Sequence, residues 1–297
     1  MEKIKNRSKK VALSAFGIIL LVVLAIYAVS LLGLLLWGFF ASFKEPIVEF
    51  TDRPYQLFPQ KWTFNIGKIF NSFYVKPSTT GKNVYVEMLL VYSLLYSVGC
   101  GVASTIVPCL TAYVCARYAF RFSKVIYTVV IVTMIIPLVG TLPAELELAT
   151  RLKLYDKIYG LWIMKAHFLG MYFLVFYNVY KAMPASYSEA AKVDGASNWA
   201  IMVKISLPLT KNTILTVFLI NFIGFWNDYQ TPLLYMPSYP TMAKGLFDLV
   251  QGTAVAGLQN VPSRLAGTVI VTVPILVLFL AFQKRLLGSL TVGGVKG

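Results

Sequence analysis

Charge is what this sequence has least of. Only 13% of its 297 residues are Asp, Glu, Lys or Arg, about half the share of an ordinary soluble domain. With 58% hydrophobic residues, that scarcity excludes a soluble enzyme and places the chain among integral membrane proteins. Histidine occurs once, as His167, with no companion at metal-site spacing. Cys100, Cys109 and Cys115 form no C-x-x-C pair and lie beside no histidine, so neither metal nor disulfide is implied and they read as small apolar packing groups. A G-x-x-x-x-G-K-[ST] phosphate loop is missing, so any ATP must be bound by another chain. Paired acids, a histidine cluster or an activated nucleophile at one membrane depth are missing too, which disfavours a membrane enzyme. No internal repeat, low-complexity tract or soluble domain boundary stands out.

What is present is a succession of apolar runs near or above the roughly 20 residues that cross a bilayer. The expected fold class is an all-α polytopic membrane protein with six spans, at about 11–40, 86–113, 125–143, 159–180, 212–234 and 265–282. The first run, Val11 to Phe43, exceeds the apolar region of a signal peptide and precedes no A-x-A-like site, so it reads as an uncleaved span. The formal charge of +15, from 27 Lys and Arg against 12 acids, is explained by cationic loops that fix orientation, not by a nucleic-acid partner. Of those cations, 15 fall in the N-terminus, the 117–124 turn, the 181–211 loop and the tail, against 11 in the opposite connections. The positive-inside rule then puts both termini in the cytoplasm. The expected organisation is a cytoplasmic N-terminus, first span and outer loop over 1–84, a core of five spans over 85–283, and a cytoplasmic tail over 284–297. Within the outer loop, a short helix near 65–74 lying on the outer leaflet is one expectation.

One connection does not look like the rest. EAAKVDGASNWAIMVKISLPL, Glu189 to Leu209, is polar enough to face water yet patterned like two short helices. Pro184 interrupts the preceding helix, and Ser186 stands three residues before Glu189 in capping-box spacing, which starts a helix near 187. Gly195 suits the left-handed turn that ends it. Ser197 or Asn198 caps a second helix, which runs to about Leu207 before Pro208 imposes a break. Ala190, Ala191 and Val193 make a small smooth surface bracketed by Glu189, Lys192 and Asp194. Trp199, Met202, Val203 and Ile205 make a broader apolar one that anchors the loop to the bundle. The segment, 184–210, reads either as a compact knob for a partner's groove or as an amphipathic loop on the inner leaflet.

The elements EAA, then Gly195, then ISLP at 205–208 match the spacing E-A-A-x-x-x-G-x9-I-x-L-P without a gap. With them the chain resembles the permease subunits of bacterial ABC importers. AYVCARYAFRF at 112–122, IIPL at 135–138, FIGFWNDYQTPLL at 222–234 and QKRLLGSLTVGGVKG at 283–297 narrow the resemblance to the carbohydrate-uptake branch, and to the type of subunit similar to the second permease of the maltose transporter. It covers roughly 85–297 and, more weakly, the first span. The resemblance implies the type I importer fold and a sugar or oligosaccharide cargo. It also implies a second permease, most simply a heterodimer, two cytoplasmic ABC ATPase subunits that hold ATP and Mg2+, and an extracytoplasmic solute-binding protein or lipoprotein, all at a bacterial cell membrane. No cofactor is implied in this chain. The EAA loop becomes the coupling element, with Glu189, Ala190, Ala191, Asp194, Gly195, Leu207 and Pro208 as its contacts and no catalytic residue.

Polar groups at membrane depth are costly and therefore informative. Asn221, Trp226, Asn227, Asp228 and Gln230 interrupt the fifth expected span, with Gly224 allowing close helix approach. An aromatic beside hydrogen-bonding groups suits a sugar, but the same residues can pair helices, and both readings stay open. His167 and Lys165 in the fourth expected span pose the same choice between pathway lining and helix–helix bonding. Pro108 and Pro274 can bend their helices. Cargo is not reported by the EAA element, so a non-carbohydrate solute is the main alternative. An ion-coupled sugar carrier is a more distant one, because it leaves the EAA element unexplained.

Overall fold

A computed structural model describes residues 15–118, 120–136, 140–252 and 257–290, with residues 15 and 283–290 as backbone only. The described chain is almost entirely helical. It opens with α1 (Ala15–Ala41), followed by the short α2 (Val48–Asp52) and α3 (Asn65–Ser72). A two-residue antiparallel pair, β1 (Tyr74–Val75) and β2 (Val84–Tyr85), leads into the long α4 (Val86–Arg117). Then come α5 (Ser123–Ile135), α6 (Leu142–Arg151), α7 (Ile158–Met164), α8 (Met171–Ala182), α9 (Ser186–Val193) and α10 (Asn198–Ile201). A π-helical segment (Met202–Ser206) joins α10 to α11 (Leu207–Asn227), and α12 (Gln230–Tyr235), α13 (Met242–Gln251) and α14 (Val261–Leu290) complete the order.

Four of these helical stretches are long and apolar enough to cross a membrane: α1, α4, the continuous run Asn198–Asn227, and α14. The helices at the other two expected spans, 125–143 and 159–180, differ in extent from the expectation. Helix α5 stops at Ile135 because Ile136 is extended (φ −77°, ψ 118°) and precedes a proline, whose ring disfavours helical geometry in the residue before it. The expected 159–180 span is two helices, α7 and α8, separated by non-helical residues 165–170. Gly170 sits at φ 126°, ψ −178°, a conformation open in practice only to glycine, and it launches α8. The fifth expected span begins earlier and ends earlier than 212–234, since Asp228 leaves the helix at ψ 112°.

Helix α4 is the axis of the molecule. Its N-terminal part packs with α3, α11, α13 and α14 around Leu89, Phe222, Trp226 and Leu249. Its middle meets α6, α7 and α12 around Tyr96, Cys100, Leu161 and Tyr235. Its C-terminal part meets α5, α8 and the start of α11 around Cys109, Tyr113, Phe176 and Tyr180. Ser93, Ser97 and Thr105 on this buried axis turn their hydroxyls back to carbonyls one turn earlier, so the polar groups are satisfied without leaving the helix. Helix α1 stands apart from this core. None of its most apolar stretch is buried within the chain, and it touches α14 near its C-terminal end, where Gly38 lies by Leu265.

The helix expected near 65–74 is present as α3, and Ile69 with the following Phe73 is buried against the bundle. Between α1 and α3 the chain folds over a buried lysine. Lys44 Nζ donates to the carbonyls of Arg53, Pro54 and Gln56 at 3.0, 3.1 and 2.5 Å. The carboxylate of Glu49 accepts the N–H groups of Gln60 (2.5 Å) and Lys61 (3.2 Å). Burial by itself raises the Glu49 pKa, yet these N–H donors, that of Glu45 and the Lys44 charge hold it below its ordinary value. Lys44 is lowered, first by burial, with Glu49 acting against that.

Candidate functional site

The loop between α8 and α11 is where sequence pattern and geometry meet. Helix α9 ends in a turn at Gly195, whose φ of 79° is left-handed. There a side chain would meet no neighbour but would strain the backbone. Ser197 caps α10 by accepting the Ala200 N–H at 3.2 Å, as the spacing predicts. Ser186 caps nothing, and α9 starts without a side-chain cap, so the capping-box reading is corrected.

The expected break at Pro208 is corrected as well, because α10, the π segment and α11 form one unbroken rod. The Leu207 N–H bonds to the Met202 carbonyl five residues back. This wider turn relaxes the backbone just where the proline ring would press on the carbonyl four residues before it. Of the expected apolar anchors, Met202 is buried and Ile205 half-buried, whereas Trp199 and Val203 are 70% and 40% exposed; Ile201 is a further buried contact, and Val193 is exposed on the small surface. Ala191 faces inward, while Glu189, Ala190, Asp194 and Pro208 lie on the open side and Leu207 is half-buried.

The sequence reading missed Arg117, which it counted as one more loop cation. From the last turn of α4 its guanidinium donates to the Met183 carbonyl at 2.9 Å and to the Ser188 hydroxyl. It thereby ties α4 to the start of α9 and lines a cavity of about 240 Å3 with Tyr113, Glu189, Lys192 and Asn198. A position two turns beyond Cys109, at the end of a long apolar helix, was the available signal. Deeper in, the Tyr180 hydroxyl lies 3.1 Å from Cys109 Sγ and 3.3 Å from Thr210 Oγ1, joining α8, α4 and α11.

A second cavity, of about 300 Å3, opens at the break between α7 and α8. Ser104, Lys165, His167, Tyr172, Asn221 and Phe225 are among its lining residues. Ser104 Oγ donates to the Lys165 carbonyl at 3.2 Å, and Asn221 Nδ2 donates to Thr105 Oγ1 at 3.2 Å, so the wall is braced across three elements. The structure brings His167, Lys165 and Asn221 together here and places the other three candidates elsewhere. Trp226 is 2% exposed, packed on Phe222, and donates its indole N–H to the Val271 carbonyl at 3.0 Å. Asn227 bonds back to the Ile223 carbonyl at 2.9 Å. Asp228 accepts from the Tyr96 hydroxyl at 2.9 Å and from the N–H groups of Gln230 and Thr231 at 2.9 and 3.0 Å. These contacts join helices and start α12.

The described chain is thus a helical bundle with four helices long and apolar enough to cross a membrane, one cavity beside the α9–α10 loop and another, partly polar, at a broken helix. Residues 105–290 match the model of the binding-protein-dependent transport system inner membrane component, and the chain belongs to that family. It is 26% identical over 289 residues to the diacetylchitobiose uptake system permease protein NgcG of Streptomyces coelicolor, covering 91% of this chain and 86% of that one. It is 30% identical over 195 residues to the galactooligosaccharides transport system permease protein GanQ of Bacillus subtilis, covering 63% and 66%. It is 25% identical over 272 residues to the trehalose transport system permease protein SugB of Mycobacterium tuberculosis, covering 82% and 93%. Among solved structures, a chain of a bacterial ABC transporter that imports the acidic polysaccharide alginate shares the fold, with a TM-score of 0.72 at 24% identity over 91% of this chain and 95% of that one.

Proposed function

We propose that the chain is the permease subunit of an ATP-driven, binding-protein-dependent importer of sugars or oligosaccharides, with six membrane passages and both termini in the cytoplasm of a bacterial cell. The observation that carries the coupling role is the α9–α10 loop, turned at Gly195, tied by Arg117 to the end of α4 and exposed along Glu189, Ala190 and Asp194. Its open face, with Glu189, Ala190, Asp194 and Gly195, is the docking surface for an ATPase subunit. Leu207 and Pro208 belong to the rod that carries the signal inward. Two ATPase subunits hold ATP and Mg2+, a second permease completes the pathway, most simply as a heterodimer, and an extracytoplasmic solute-binding protein delivers cargo. The passages at α5 and at α7–α8 use shorter helices, a short apolar one in the first case and a broken one lining a cavity in the second.

Sugar cargo is supported by the relatives' transport names and by a cavity near the lower end of the roughly 300–1,000 Å3 usual for small-ligand sites. Nucleotide-driven closure of the ATPases draws the loops together, and the cavity changes the side to which it opens. The test is co-expression of the complete transporter with G195E. The variant is expected to insert normally but to lose ATPase copurification and uptake of oligosaccharides. Normal uptake with undiminished ATPase association would refute the coupling role.

A further inference from the structure

Of the 27 lysines and arginines, Lys165 is the one that falls inside an expected span and not in a connection. The structure explains how it is tolerated: it lies in the non-helical stretch between α7 and α8, where the backbone lines a cavity. Among the described residues no carboxylate lies within ion-pair distance of the Lys165 ammonium. The cavity lining contains no aspartate or glutamate, and the two ion pairs among the described residues, Arg151–Glu147 and Lys244–Asp248, lie elsewhere. Asp228, the acid of the adjoining segment, is engaged by Tyr96 and two backbone N–H groups. An ammonium at membrane depth is costly without an anionic partner. Beside it, His167 offers an N–H donor and Tyr172 and Phe225 offer aromatic faces, while the Asn221 amide N–H groups are taken by Thr105 and Ser104.

We infer that this cavity selects sugars bearing an anionic substituent, with Lys165 as the group that meets the negative charge. The inference rests on the sugar-importer reading and refines it. A carboxylate or sulfate on a ring can accept from Lys165 and His167 while the apolar face of the ring lies on Tyr172 or Phe225. A neutral sugar leaves the ammonium unmatched. Both a uronate and a sulfate ester have the required chemistry.

The test uses the complete transporter in proteoliposomes with its binding protein. Uptake is compared for three sets of trisaccharides: neutral ones, ones built of uronates, and sulfated ones. Preference for either anionic set is expected, and which set wins identifies the substituent. In K165Q the anionic-to-neutral uptake ratio should fall by about tenfold or more, as loss of a charge-assisted bond implies, while K165R keeps most of it. Uptake of neutral trisaccharides alone would overturn the charge assignment and leave the importer reading intact, whereas uptake of no carbohydrate would overturn both. An unchanged ratio in K165Q also overturns it, and if the permease pair then no longer copurifies, Lys165 is an intersubunit contact instead. Should K165Q fail to assemble, H167Q provides the second variant: a reduced anionic-to-neutral ratio is expected, and an unchanged one overturns the assignment to this cavity.

Discussion

At Gly195 and Arg117 the coupling loop depends on one backbone angle and one guanidinium. G195A places a Cβ at φ 79°, which costs about 1–2 kcal/mol for a non-glycine residue. A several-fold loss of uptake is expected, with assembly retained, because nothing crowds the new methyl group. Replacing Arg117 with Ala removes the bonds to Met183 and Ser188. Hydrogen exchange over 186–201 should then rise, and ATPase stimulation by loaded binding protein should fall more than basal hydrolysis; unchanged exchange would deny Arg117 its clamping role. Glu49 gives a pH-dependent prediction. Its folded pKa is lowered below 4.5, so the stability it contributes is present above that ordinary value and is lost as pH falls through the lower folded value. Limited proteolysis between Glu45 and Lys61 should accelerate at acid pH in the wild type, while E49Q should be susceptible already at neutral pH. A proteolysis rate independent of pH would show that the carboxylate does not hold this segment.

Among elements, the break between α7 and α8 is the least regular feature and the one that opens a cavity. G170A forces a side chain into a glycine-only conformation and should shift the start of α8. Reduced oligosaccharide uptake with normal ATPase copurification is the expected result, and wild-type kinetics would mean that the loop reshapes without cost. The sequence disclosed the long apolar helices well because unbroken hydrophobicity is a signal that survives any packing. It concealed this break because residues 159–164 and 171–180 are apolar on both sides, and Gly170 shows its φ only when folded. Pro208 misled in the opposite direction, since a π turn absorbs the ring that would otherwise end the helix. Trp226 and Asp228 were visible as unusual residues, but which way a side chain points depends on neighbours more than 40 residues away, Val271 and Tyr96. Arg117 went unrecognised for the same reason, its partners lying 66 and 71 residues along the chain.

At the scale of the whole molecule, the three cysteines are all buried, in two of the packing clusters along α4. Maleimide labelling of the folded transporter should therefore be slow and should rise sharply on denaturation; rapid labelling of the assembled protein would contradict this arrangement. Tags at the two ends should react with membrane-impermeant reagents only when the cytoplasmic face is opened, and labelling of one tag from outside would break the six-passage reading. The rod from Asn198 to Asn227 joins both candidate sites, because Asn198 lines the cavity beside α9 and Asn221 the one at the broken helix. Thr210, tied to Tyr180, divides it nearly equally: at about 1.5 Å per residue, Asn198 is roughly 18 Å to one side and Asn221 roughly 17 Å to the other. A rigid tilt of the rod about that point would move its two ends by similar distances in opposite directions.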